Sequence, residues 1–397
     1  MTRIFFIVGL QLSAFIIAWM QYLVGVRTDE AKYLLNIPYP HPPLIRSVLS
    51  WTEGFIYQEI FWRIIFATLL IQGVWLVWDM GRSLSKPSRI VLALSWFLSS
   101  GVILQAGSLY MAPMTALQTI LFLWLYERRE LVERWPVIVG ILWLCSLFTA
   151  YQGILLSPLI LALLLRARCS WIERSLYFFL PLGLLCIYSL TNPLALASMV
   201  VHGSRDLSSD TIHRFLSTAR VWVLSGSFIV SIVGTVGLFW SRRYGVIMTF
   251  ILICAYVALS RYDYYMILFT PLVVYGVREV LHRCRYVVLH AFPYSCVLLL
   301  GFLIVIVQSQ RPSFVHNPAR SVMRMLDHEL PKDSLVLIRG SFGHQWQYES
   351  LFPVQRYRDD LLSIARGVIC LEECGRFGKD WKKVEVEGVN VFVSDKR

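Results

Sequence analysis

Long apolar runs separated by short polar segments occupy most of this chain, up to about residue 308. Eleven runs can be drawn, over residues 4–26, 60–78, 89–108, 110–126, 136–150, 152–166, 175–192, 221–240, 246–260, 264–278 and 287–308. Most approach the roughly twenty residues that a helix needs to cross a bilayer. The pattern predicts an α-helical polytopic membrane protein of about eleven transmembrane helices. The first run is too long for the apolar core of a signal peptide and has no convincing cleavage site after it. It reads as a retained helix.

After residue 308 the pattern changes. SVMRMLDHELP has the spacing of an amphipathic helix, DSLVLIRG reads as a strand, and KVEVEGVNVFVS reads as two strands around a Gly turn. Residues 309–397 are therefore expected to form a small α/β domain outside the membrane, and residues 1–308 the membrane domain. Between them in character lies LIRSVLSWTEGFIYQ (44–58), which fits either an interfacial helix or an ordinary loop helix.

Charge adds a direction. The segments after alternate spans are RSLSKPSR, ERRELVER, RARCSWIER, SRR and REVLHRCR, which with Arg3 carry fifteen Lys or Arg. The opposite side has the long loops 27–59 and 193–220 and the hinge at Arg261, with seven. By the positive-inside rule the amino terminus is cytoplasmic and the C-terminal domain external. Compact loops and the absence of N-x-S/T sites suggest a bacterial inner membrane. The chain is 57% hydrophobic and 16% charged, with mean hydropathy +0.60. The excess charge of +12 falls in loops and so points to topology and anionic lipid, not to nucleic acid. Of eight cysteines, Cys370 and Cys374 are spaced closely enough to pair in an oxidising compartment.

The candidate chemistry lies in RTDEAKYLLNIPYPHPPL, Arg27 to Leu44, directly after the first run. Asp29 and Glu30 are adjacent carboxylates at a helix exit, and His41 sits in a proline-stiffened bend able to turn back toward them. Solvated loop carboxylates are the plain alternative. Candidate cations on the same side are Arg261 in RYDYY, Arg205 in HGSRD, Arg214, Arg220, Arg63 near the end of the second span, and Arg46 after the His-Pro-Pro turn. Any of these arginines can instead snorkel or bind lipid headgroups.

D-E-A-x-Y after the first span, then H-P-P-L before an interfacial segment, resembles the GT-C superfamily of integral membrane glycosyltransferases. The protein O-mannosyltransferase and aminoarabinose-transferase branch is the nearest in pattern. The resemblance is strongest over the first sixty or so residues and architectural beyond them. It implies transfer of a sugar from a polyprenyl-phosphate donor to a lipid, glycan or protein acceptor on the outer face, with inversion at the anomeric carbon. On this sequence the family's first-loop Asp is Asp29, which would engage the acceptor, with Glu30 and His41 beside it. An arginine among Arg261, Arg205, Arg220, Arg63 and Arg46 would hold the donor phosphate. Asp29 and Glu30, with waters and donor phosphate, are the oxygen ligands open to Mg²⁺ or Mn²⁺, and the sequence does not separate a metal-dependent site from an arginine-based one. The chain departs from the pattern in the short spacing from Asp29 to His41, in a proline before His41, and in a loop 107–113 without a carboxylate. Competing readings are a flippase or transporter for a polar lipid, and a polymerase or ligase using a pyrophosphate-linked donor. In the tail, Gly343-His344-Gln345-Trp346 offers a sugar-stacking tryptophan or, more plainly, a turn and a core aromatic.

Overall fold

The computed structural model describes residues 2–38, 40–197, 211–260, 263–284, 317–372, 374, 377–378 and 380–394. Its first part is helical. α1 (Thr2–Val24) is followed by two short helices, α2 (Thr28–Leu34) and α3 (Leu44–Ser50), before α4 (Gln58–Met80). The bundle continues as α5 (Lys86–Phe97), α6 (Ser100–Gln105), α7 (Met111–Glu127), α8 (Arg129–Arg134), α9 (Pro136–Thr149), α10 (Ser157–Arg166) and α11 (Trp171–Thr191). Then come α12 (Thr211–Ser225), α13 (Ile229–Ser241), α14 (Tyr244–Ser260) and α15 (Thr270–Arg283). Two 3-10 turns, Tyr151–Leu156 and Asp263–Leu268, lead into α10 and α15.

Among the described residues, Phe6–Val24, Gln58–Met80, Lys86–Gln105 and Trp171–Thr191 are long and apolar enough to cross a membrane. Pro136–Thr149, Tyr151–Arg166, Ile229–Ser241 and Tyr244–Ala258 are apolar but shorter. The expected run 287–308 lies outside the described residues. Two predicted runs are interrupted. The helix expected over 89–108 stops at Leu98 and restarts when the Ser99 side chain accepts from Val102 N at 3.4 Å. The helix expected over 221–240 breaks between Ser225 and Ile229, where Ser227 and Phe228 have φ of 59° and 56°. Both breaks fall beside each other. Ser227 Oγ accepts from Ser100 N at 3.1 Å and donates to the Leu98 carbonyl at 3.1 Å, so the second break supplies backbone partners that the first one lacks.

α4 is the axis of the bundle, packing on α1, α5 and α7. α13 and α15 approach more closely still. A Cβ on Gly276 would lie 1.8 Å from the Gly234 carbonyl oxygen, and one on Gly237 would lie 2.0 Å from that of Gly276. Small residues at these positions let the backbones touch. At the α4 end marked by Met80, the Met80 carbonyl accepts from Arg278 Nε at 2.9 Å, and Glu127 accepts from Arg243 at 2.7 Å and Tyr275 at 2.6 Å. α2 and α3 lie at the opposite end. Beyond Ser50 the chain turns through exposed Trp51 and Ile56 before entering α4, so the helical part of 44–58 is its first half.

The C-terminal unit is a five-stranded sheet with one main covering helix, α16 (Ala319–Glu329). Its strands are β1 (Leu335–Arg339), β2 (Val354–Arg356), β3 (Ala365–Cys370), β4 (Trp381–Val386) and β5 (Val389–Ser394), ordered β2-β1-β3-β5-β4. β1 runs parallel to β2 and β3, while β3 and β4 run antiparallel to β5. Val322, Met323 and Leu326 of α16 cover Val336, Ile338, Ile369 and Val391 on one face, and Leu337, Val368 and Phe392 pack on the other. β1 and β3 are thus buried on both faces, as central parallel strands are. α16, β1 and the β4–β5 hairpin match the sequence expectation; β2 and β3 were not foreseen. Cys370 and Cys374 form a disulfide at the end of β3.

The α13–α15 contact yields a direct expectation. Gly276→Ala forces two touching backbones apart and is expected to cost about 1–3 kcal/mol. Thermal unfolding in detergent checks it; an unchanged midpoint would mean the helices do not meet at Gly234.

Candidate functional site

The site is built on the turn between α1 and α2. Gly25, with φ +92°, ends the first helix and aims its carbonyl back into the protein. α2 then begins at Thr28 with Glu30 in its first turn, and Glu30 Oε2 accepts from the backbone N–H of Arg27 at 3.0 Å. This local closure holds Glu30 inward, where it is 1% exposed. Its other oxygen accepts from Leu109 N at 2.8 Å.

Arg63, one turn into α4 and fully buried, meets Glu30 with both terminal nitrogens, Nη1 to Oε1 at 3.2 Å and Nη2 to Oε2 at 3.1 Å. Its Nε donates to Glu59 Oε1 at 2.8 Å, its Nη1 also to the Gly107 carbonyl at 2.9 Å, and its Nη2 also to the Gly25 carbonyl at 3.2 Å. A guanidinium has five N–H donors, and all five are used here. Gly107, like Gly25, has positive φ (+80°), and a Cβ on it would crowd Ala18 and the Arg63 backbone. The two glycines are therefore what turns two carbonyls onto one buried cation.

The network continues into the C-terminal unit. Arg320 of α16 donates to the free oxygen of Glu59 and to Glu349, with Nε–Oε2 at 2.9 Å and Nη2–Oε1 at 2.7 Å, and its guanidinium lies 4.5 Å from the Tyr22 ring centroid. Glu349 ends α17 (His344–Glu349), which packs on α2, and the Gln345 side chain accepts from Thr28 Oγ1. Asn317 adds a backbone bond to the Val24 carbonyl at 3.1 Å. Five charges, Glu30, Arg63, Glu59, Arg320 and Glu349, thus alternate in sign from α2 through α4 to α16 and α17. Burial alone would raise the Glu30 carboxyl, but Arg63 and then Arg27 hold it below the usual carboxylate range.

Asp29 has a different fate. It sits one residue earlier on α2, pairs with Lys32 Nζ at 3.2 Å, and keeps 35% of its side chain exposed. Arg27 lies 5.6 Å from the ring centroid of Tyr110, the residue leading into α7. His41 is carried on a turn fixed from its backbone. The Tyr151 hydroxyl donates to the Pro40 carbonyl at 2.8 Å and that of Tyr188 to the His41 carbonyl at 3.2 Å, with the imidazole and Tyr151 ring centroids 6.1 Å apart.

The candidate cations separate. Arg63, read from sequence as one candidate for a donor phosphate, has every N–H engaged within the protein. Arg46 donates to the Ile37 carbonyl at 3.1 Å and braces the turn before His41. Arg220 is exposed on α12, while Arg205 and Arg261 lie outside the described residues. Both Glu30 oxygens are filled by Arg63 and backbone N–H groups, and no three His, Cys, Asp or Glu side chains gather for a metal among the described residues. Trp346 is a core residue, 1% exposed. Sequence reasoning did not single out Glu59, Arg320 or Glu349. A signal existed for the first, since Glu59 and Arg63 are an i,i+4 pair at the mouth of a predicted span.

No family model matches the chain, and no curated protein does. Among solved structures, its fold is similar to that of the arabinofuranosyltransferase AftD from Mycobacteria. The TM-score is 0.53 at 11% identity, over 98% of this chain and 40% of that one. The likeness is one of fold, and the chain spans well under half the length of AftD.

Because the folded value of Glu30 lies below its unfolded one, its contribution is complete above about pH 4.3 and is lost as pH falls through the lower folded value. Glu30→Gln leaves Arg63 with one carboxylate and is expected to cost about 3–5 kcal/mol. Thermal unfolding between pH 3 and 7 checks both, the variant being less stable at neutral pH and less sensitive to acid. Equal stability at pH 7 would contradict the pairing.

Proposed function

We propose that this chain is a membrane glycosyltransferase, moving a sugar from a polyprenyl-phosphate carrier to an acceptor at the end of the bundle that carries α2. The observation that carries this reading is the division of labour between two adjacent carboxylates. Glu30 is locked by Arg63 and two backbone N–H groups, while Asp29, rigidly placed on the same helix, keeps part of its side chain toward solvent. A general base must be positioned yet reachable by its substrate, and Asp29 meets both conditions.

The step follows from that placement. Asp29 accepts the proton of the acceptor hydroxyl as its oxygen bonds to the anomeric carbon. The bond from that carbon to the phosphate oxygen breaks on the opposite face, giving inversion, and polyprenyl phosphate departs as an anion. That leaving group needs a cation more than a proton. With Arg63 occupied, Arg261, Arg205 and Arg220 carry this part of the reading, and no step is routed through a metal. Glu30 acts by holding α2, and His41 by its place on the braced turn at the same end.

Support comes from several directions. The D-E-A-x-Y and H-P-P-L stretch resembles GT-C enzymes, and the fold resembles that of an arabinofuranosyltransferase. The Lys and Arg bias assigns the α2 end to the outer face, and the Cys370–Cys374 disulfide suits an oxidising compartment there. In a bacterium that face is the periplasmic side of the inner membrane.

Replacing Asp29 with Asn tests the reading. Transfer from a radiolabelled polyprenyl-phosphate sugar should fall by about 10²–10⁴-fold, chiefly in kcat, as expected on losing a general base. Undiminished transfer by a folded Asp29→Asn protein would remove Asp29 from the chemistry.

A further inference from the structure

α1 and α5 pack on α4 from either side and leave a groove between them, in the half of the bundle away from α2. Leu10, Val74 and Ala93 form its buried floor, and Phe6, Gly9 and Ile90 its exposed rim. The Phe6 ring rests edge-on against Trp75 of α4 with centroids 5.4 Å apart, and Gly9 beyond it has no side chain to close the gap. A Cβ on Gly9 would meet nothing within 4 Å. The cavity so formed measures about 340 Å³, within the range of ligand pockets. Ser13, the one hydroxyl residue on its wall, donates to the Gly9 carbonyl at 2.9 Å, which leaves the lining apolar.

Two cations stand at its mouth. Lys86 and Arg89 open α5 and lie one helical turn before Ile90 and Ala93, on the face that lines the groove. The Arg89 guanidinium stacks on the wall residue Trp78, 4.3 Å from its ring centroid, and Arg89 Nε donates to the Trp78 carbonyl at 3.3 Å. The Arg89 Nη groups and Lys86 Nζ meet no acceptor among the described residues. Two carboxylates at this end are already taken, Asp79 by Arg128 at 2.7 Å and Glu130 by Arg82 at 3.0 Å. From Lys86 to Phe97, where α5 ends and the groove with it, the helix rises roughly 16 Å at about 1.5 Å per residue. That is one leaflet's share of a hydrocarbon core about 30 Å thick.

We propose that this groove binds an anionic phospholipid of the leaflet on that side, with one acyl chain in the cavity and the phosphate between Lys86 and Arg89. Three observations select this occupant. The apolar lining suits hydrocarbon. Its depth matches the chain of one leaflet, whereas a partner helix crossing the bilayer would need about twice the length. The two cations at the mouth call for an anion, which an apolar helix face does not supply. A lipid held there packs α1 to α5 as well as to α4. The inference needs only that these three helices lie in a bilayer, and it stands apart from the glycosyl-transfer reading.

The test is native mass spectrometry of the full chain, stripped of lipid in detergent and titrated with phosphatidylglycerol or with phosphatidylcholine of the same acyl chains. The unaltered protein should bind its first phosphatidylglycerol at least about tenfold more tightly than phosphatidylcholine. Lys86→Gln and Arg89→Gln together should remove that preference; both lie at the surface, so the fold is kept. Gly9→Phe fills the cavity from an open helix position and should weaken both lipids by roughly tenfold. Equal affinity of the unaltered protein for the two lipids would overturn the site, as would phosphatidylglycerol binding unchanged in the Lys86 and Arg89 double variant. Binding of both lipids unchanged in a folded Gly9→Phe protein would overturn the groove as the seat of the chain. Displacement of phosphatidylglycerol by an equal concentration of glycerophosphate would likewise overturn it, by showing an anion site without a chain. A lipid-free dimer mass that disappears in Gly9→Phe would assign the groove to a second copy of this chain instead.

Discussion

Arg63 is a guanidinium buried without any solvent contact, close to the mouth of an apolar helix, and a cation so placed must be matched on every side. Much of the surrounding architecture answers that requirement. Glu30 and Glu59 supply the charge, and Gly25 and Gly107 supply carbonyls from chain segments that only a glycine accommodates easily. In satisfying Arg63, the first loop, the fourth helix and the loop before α7 are fastened to one point. Such a pair adds little net stability over an apolar substitute, but breaking it is costly, and it fixes one arrangement over its alternatives.

That fixation has a consequence for chemistry. Two neighbouring carboxylates on a seven-residue helix would ordinarily be equivalent. Here Arg63 holds the buried one ionised against the cost of its burial, and the other is left partly exposed with Lys32. The C-terminal unit takes part as well, because Arg320 and Glu349 extend the alternating charges and α17 packs directly on α2. The tail is thus a buttress of the candidate site.

Much of the helical framework was legible because apolar runs of bilayer length are a strong signal, and the β4–β5 hairpin because alternation around Glu387-Gly388 is another. The interruptions near Ser99 and Ser227 were not, since apolar residues continue through both and the compensating bonds join positions more than a hundred residues apart. β2 is three residues long and too short to leave a pattern. In the site, Asp29 and Glu30 stood out as charges beside an apolar helix and were assigned unequal roles from the family resemblance, but the burial of Glu30 was not legible, because it depends on which one meets Arg63. Arg320 was hidden for the same reason: its helix reads as amphipathic, and nothing local marks one arginine as a partner for Glu59.

Charges in the C-terminal unit hold the first-loop helix in place. Amide hydrogen exchange across residues 28–34 in the full-length Arg320→Met protein tests it most directly. Exchange in α2 and α17 is expected to be faster than in the unaltered protein, with the central strands β1, β3 and β5 protected as before. Unchanged protection of α2 in a folded Arg320→Met protein would contradict it.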